Sequence, residues 1–297
     1  MPSQHERVVV GLDGSRDAEI ALEWAVAFAT AHGARVTPVH TWHYPKSAIA
    51  PWPLGSVVAP ESAMALAATK AAERMLERRS SSAGTEAPID PPKIVHGSPG
   101  PALVTEAVGA GLLVVGSRGL GAVRGALIGS VSSYSAAHAE SPVAIIPAEA
   151  GTPRLKRIVV GHDGSERSDA ALSWAIGAFP GAEVEVVHVW RYPALPEPMA
   201  VAEEHRLIEH RATDAIDQIV TKNQPAVDAV GSSIVGRVIE GDPRMKLNAR
   251  AAEADVLVLG VQQFHSVRRI FLGSVAQAIV HHITAPTIIV PTSGDDR

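Results

Sequence analysis

The chain has 297 residues, of which 46% are hydrophobic, 19% charged and 4% aromatic, and it contains no cysteine. That composition supports one large or two compact domains with an aliphatic interior and excludes a disordered chain. The missing cysteine excludes disulfides, thiolate metal sites and thiol catalysis. A net charge of -5 gives no general attraction to nucleic acid; with neither a leader-like start nor an apolar run long enough for a membrane span, a cytoplasmic location is the expectation.

In chain order, residues 8–10 are apolar throughout and predict a buried strand. Residues 17–30 follow at helical spacing, with Ile20, Trp24, Ala27 and Phe28 on one side. A second strand is expected over 35–41, then a Pro-rich connection over 44–60 that carries Trp52, and a helix over 61–79. A third strand over 93–96, a helix over 101–108 and a fourth strand over 112–115 come next. A glycine-rich stretch leads into a helix over 131–138, and 143–147 closes the set.

The remainder repeats this plan. Arg7 to Ser15, RVVVGLDGS, returns as RIVVGHDGS from Arg157 to Ser165, and Ala21 to Ala25, ALEWA, returns as ALSWA from Ala171 to Ala175. Val39-His40-Thr41-Trp42 is matched by Val187-His188-Val189-Trp190, LVVG at Leu113 by LVLG at Leu257, and Gly129-Ser130-Val131 by Gly273-Ser274-Val275. Five matches in one order indicate a duplicated domain, 1–150 and 151–297, joined through the turn-rich 148–155. The second copy predicts strands over 158–160, 184–189, 233–240, 256–259 and 287–291, with helices over 170–179, 203–220, 247–254 and 275–282. Fully apolar strands alternating with helices predict an α/β fold: two repeated, doubly wound, Rossmann-like domains, each with a five-stranded parallel sheet flanked by helices.

Ligands of such sheets sit at the carboxyl ends of the strands, where the strand order reverses. Three segments of the first half converge there. Asp13 is placed either to accept hydrogen bonds from a ligand or, with Ser15, to cap the next helix. His40, repeated as His188, reads as a buried hydrogen-bonded histidine or as a catalytic base, and Thr41 and Val189 border a flat ring. The stretch from Gly116 through Gly119, Gly121, Gly125 and Gly129 to Ser130 and Ser132 is a phosphate cradle or a plain surface loop. It matches neither the P-loop nor the dinucleotide fingerprint.

Taken together, Asp13-Gly14-Ser15 after the opening strand, His40-Thr41 at the end of the second, and Gly116, Gly119, Gly129 and Ser130 in the pattern Gly-x2-Gly-x9-Gly-Ser resemble the universal stress protein family in its tandem form. The resemblance implies an adenine nucleotide alpha hydrolase-like fold and a protein of the ATP-binding class. Asp13 and Thr41 would border the adenosine, and Gly116, Gly119, Gly129, Ser130, Val131 and Ser132 would line the ribose and phosphates of ATP, with Mg2+ as an optional companion. The matching positions of the second half are Asp163, Val189, Gly260, Gly273, Ser274 and Val275, but Gln263 replaces the middle glycine. If Gly119 uses a positive φ, Gln263 would cost about 1 kcal/mol or more in that conformation; Arg268 and Arg269 either offset this with guanidiniums or are simply solvated. The first half is therefore expected to bind ATP, and the second to bind it weakly, to bind something smaller, or to bind nothing.

The function implied is regulation in a stress response, nucleotide occupancy acting as a conformational signal, with a homo-oligomer or an intrachain domain pair as the assembly. The alternatives are a nucleotide-independent interaction module and an enzyme of slow ATP hydrolysis or nucleotidyl transfer, the latter requiring an acid or base such as His40.

Overall fold

The computed structural model describes residues 6–43, 61–78, 87–119, 128–192, 201–264 and 269–293. Trp52 and the rest of 44–60, Gly121, Arg124, Gly125 and Arg268 lie outside the described residues. The chain divides into two compact units, Met1–Ala148 and Glu149–Arg297.

Unit 1 contains β1 (Arg7–Leu12), α1 (Arg16–His32), β2 (Arg35–Trp42), α2 (Glu61–Arg78), β3 (Lys93–His96), α3 (Pro99–Glu106), β4 (Leu112–Gly116), α4 (Ser130–His138) and β5 (Val143–Ile146). Its strands are ordered β3-β2-β1-β4-β5 and pair in parallel, Val9 opposite both Thr37 and Leu113. The chain runs outward from β1 to β3, then returns to the other side of β1, so the order reverses between β1 and β4. Val8, Val9, Val10, Leu112, Leu113 and Val114 are fully buried, as strands covered on both faces must be. α1 lies over β1 and β4 and adds the large buried side chains Leu22, Trp24 and Phe28, the last two stacked with centroids 5.5 Å apart. It ends at Gly33, whose φ of +61° brings its N–H back to the carbonyls of Ala29 and Thr30.

Unit 2 contains β6 (Arg157–Gly161), α5 (Glu166–Ala178), β7 (Glu183–Trp190), α6 (Val201–Ala229), β8 (Ser233–Glu240), α7 (Pro243–Ala251), β9 (Val256–Phe264), β10 (Arg269–Phe271), α8 (Gly273–His281) and β11 (Thr287–Ser293). The order β11-β9-β6-β7-β8 reproduces that of unit 1, again parallel. The five-stranded parallel sheet flanked by helices is thus present twice. Two features depart from expectation. α6 runs on to Ala229 through an internal Pro225. β9 continues to Phe264 where a loop was expected, and β10 folds back on it antiparallel, Ile270 opposite Gln263. Without glycines to break it, the strand extends, and β11 supports the extension through Pro291, Thr292 and Ser293.

Candidate functional site

In unit 1 the carboxyl ends of β1, β2 and β4 open into a cavity of about 390 Å3. Asp13 follows β1 and lines it; its Oδ1 accepts the Ser15 N–H at 2.9 Å. Gly14, at φ +86°, turns the chain so that Ser15 caps α1, its Oγ accepting the Ala18 N–H at 3.2 Å. The two roles open to this segment are therefore divided, Ser15 taking the cap and Asp13 the cavity wall. β2 contributes Val39 and Thr41, and Leu103 and Pro99 of α3 complete an apolar slot.

His40 stands outside that wall. Its Nδ1–H donates to the Leu12 carbonyl at 2.7 Å, and His188 makes the same bond to the His162 carbonyl at 2.8 Å. One structural tie between neighbouring strands is used twice.

The described ends of the glycine-rich stretch line the site from the other side. Gly116, Gly119, Gly129, Ser130, Val131 and Ser132 all line the cavity. The ends of the segment are clamped, the Gly129 N–H donating to the Ser117 carbonyl at 2.7 Å. Ser132, expected to offer a hydroxyl to phosphate, instead spends it on the carbonyls of Gly116 at 2.8 Å and Ser117 at 3.0 Å. α4 starts at Ser130 without a side-chain cap, which leaves the first turn of a helix N-terminus facing the cavity as an anion-favouring end.

The glycines serve different physical needs. A Cβ on Gly116 would stand 2.8 Å from the backbone of Asp17, so this glycine lets α1 approach β4. A Cβ on Gly119 would stand 2.3 Å from Oδ2 of Asp13. Gly119 has no positive φ; its requirement is space beside the carboxylate, and the conformational cost anticipated for Gln263 does not arise.

Asp17 is the residue that sequence reasoning missed. It is 8% exposed, and its Oδ2 accepts the Ser117 hydroxyl and the Arg118 N–H, each at 3.0 Å, with Nε of Arg118 3.7 Å away. One carboxylate in the first turn of α1 thereby holds the start of the glycine segment and places Arg118 in the cavity wall. An acid in a first helical turn is ordinarily a dipole and capping residue, so nothing local singled it out. Comparison of the two repeats would have: the aligned residue is Arg167, and Ser117-Arg118 aligns with Val261-Gln262.

Unit 2 has the corresponding cavity, of about 290 Å3. Asp163, Val189, Gly260, Gly273, Ser274 and Val275 all line it, as do Arg167, Leu247 and Leu272. Asp163 is held by its neighbours. Its Oδ1 accepts both the Ser165 hydroxyl and, at 3.1 Å, the Ser165 N–H, while Oδ2 accepts from Arg167 Nη2 at 2.8 Å. Burial works against ionisation of Asp163, but the hydrogen bonds from Ser165 and Arg167 outweigh it and hold the carboxyl well below the usual carboxylate range. Gly260 keeps its packing role, since a Cβ there would stand 2.1 Å from the Arg167 carbonyl oxygen. Gly273 has φ +66°, whereas Gly129 has φ -79°, so the two helix starts differ. Among the described residues no group of three or more His, Asp or Glu could hold a metal ion, and no helix is long and apolar enough to cross a membrane.

Known proteins resemble this chain in sequence and fold. The chain is 31% identical over 306 residues to universal stress protein Rv1996 of Mycobacterium tuberculosis, covering 95% of this chain and 94% of that one. It is 28% identical over 308 residues to universal stress protein Rv2005c of the same organism, covering 98% and 99%. The crystal structure of a universal stress protein from Archaeoglobus fulgidus superposes with a TM-score of 0.64 at 18% identity, over 98% of this chain and 99% of the other, and supports the fold. The model of the universal stress protein family matches residues 4–147 and again 154–291. On these matches and on the repeated fold, the chain belongs to the universal stress protein family, with one copy of the family's domain in each half.

Proposed function

We propose that the cavity of unit 1 binds ATP and that its occupancy is the signal through which this protein acts in a stress response. The observation that carries the reading is the meeting of three chemistries around one cavity: the Asp13 carboxylate, an apolar slot at Val39, Thr41 and Leu103, and the clamped glycine segment ending at the uncapped start of α4. Each suits one part of the nucleotide. A flat adenine fills the slot, ribose hydroxyls donate to Asp13, and the phosphates meet the Ser130 and Val131 amides and the Arg118 guanidinium. Magnesium would arrive as the companion of the triphosphate.

Binding of this kind stabilises whichever conformation of the protein fits the phosphates, and a partner that distinguishes that conformation reads the nucleotide. The reading is tested with Arg118→Ala. ATP affinity is expected to fall about tenfold, the worth of one charge-assisted hydrogen bond, while adenosine affinity stays as it was. Equal loss for both ligands, or for neither, in titration calorimetry would overturn the phosphate assignment.

A further inference from the structure

The two cavities differ most where Asp17 of unit 1 is aligned with Arg167 of unit 2. In unit 1 the acid points to the loop and is hydrogen-bonded by Ser117 and Arg118. In unit 2 the guanidinium lines the cavity, with 35% of its side chain exposed, and pairs with Asp163 at 2.8 Å. The acceptor aligned with the ribose-facing acid and a cation of phosphate-binding type are thus held to each other inside one site.

The rest of the phosphate apparatus is altered: Ser274 and Val275 at the uncapped start of α8 still line the cavity, but the glycine segment has no counterpart among the described residues. Where unit 1 has a glycine segment, unit 2 has Gln262 and Gln263 in β9, flanked by β11 on one side and β10 on the other. Their backbone groups serve the sheet rather than a ligand. Leu272 lines the cavity just ahead of α8, and the cavity is smaller than its counterpart. The apolar slot is retained by Val187, Val189 and Leu247.

A ligand that opens the Asp163–Arg167 pair must replace both of its halves, because a charged group left without its partner is costly even at a partly exposed site. Vicinal hydroxyls donate to the carboxylate, and one phosphate accepts from the planar guanidinium through two parallel bonds. Among the described residues no Arg or Lys besides Arg167 lines the cavity for a second or third phosphate, and with Gln262 and Gln263 paired in the sheet only the start of α8 is left to offer amides. We propose that unit 2 is a nucleoside monophosphate site, with Asp163 on the ribose and Arg167 on the single phosphate. The assignment rests on the nucleotide reading of the aligned cavity in unit 1, but not on which nucleotide that cavity prefers.

The test is equilibrium dialysis of the full chain against AMP, alone and with saturating ATP. One AMP per chain is expected to remain bound when ATP is present. Arg167→Met is expected to weaken AMP about tenfold or more, Arg167→Lys to recover part of the loss, and neither to weaken the binding of adenosine. Complete displacement of AMP by ATP, an unchanged AMP affinity in Arg167→Met, or no AMP binding at all would overturn the proposal. AMP uptake that depends on Arg167 in a chain indifferent to ATP would defeat the unit 1 reading and leave this one standing; ATP uptake without AMP uptake would do the reverse.

Discussion

Gly119→Val is expected to reduce ATP binding by unit 1 at least tenfold while leaving the stability of the protein nearly unchanged. The Cβ of any side chain at this position would meet Oδ2 of Asp13 at 2.3 Å, well inside contact distance. The atom met is the far end of a half-buried side chain rather than backbone, so it can give way and the fold loses little. The ligand loses more, because the displaced carboxylate no longer stands where ribose hydroxyls would donate to it, and a hydrogen bond to a charged group is worth about 1.5–3 kcal/mol, or roughly ten- to a hundredfold in affinity. Titration calorimetry with ATP, set beside a thermal melt, separates the two effects. Unchanged affinity in the variant would show that Gly119 and Asp13 do not share a ligand.

Gly260→Ala should act in the opposite sense, on folding. The added methyl would lie 2.1 Å from the carbonyl oxygen of Arg167 and 2.6 Å from its carbonyl carbon. Those are backbone atoms of a helix packed against the sheet, and they cannot turn away. Overpacking of this kind costs about 1–3 kcal/mol, and an obstacle made of backbone puts Gly260→Ala at the upper end. Gly116→Ala, whose Cβ would meet Asp17 at 2.8 Å, should cost less. Urea denaturation of the two variants is expected to rank them in that order. The reverse ranking would mean that α1 and α5 do not approach their sheets as described. The first glycine of the motif is on this view a packing residue, and the second is the one that serves the ligand.

Much of this was legible in the sequence because the strands are apolar throughout. Val8 to Val10 and Leu112 to Val115 could be read as buried parallel strands without knowing their neighbours, and the second copy repeated both. The convergence of Asp13, Thr41 and the glycine segment followed from the rule that such sheets bind at the carboxyl ends of their strands. The β9–β10 hairpin was not legible, since the repeat suggested a loop at Gln263 and only the pairing of Gln262 and Gln263 with β10 and β11 makes the segment extended. Nor was the continuation of α6 past Pro225, where the sequence had suggested an end near residue 220. Asp17 escaped notice because its partners, Ser117 and Arg118, are about a hundred residues away in the chain. The exchange of Asp17 for Arg167 is written in the repeats, but its meaning depends on which way each side chain turns.

The most direct measurement is the stoichiometry of ATP on protein stripped of nucleotide by unfolding and refolding. With Asp13 and its glycine segment intact in unit 1, and with β9 extended and Arg167 paired to Asp163 in unit 2, one tight ATP per chain is the expected result. Two equivalent ATP molecules per chain would contradict the difference drawn between the two cavities, and none would contradict the assignment of the first.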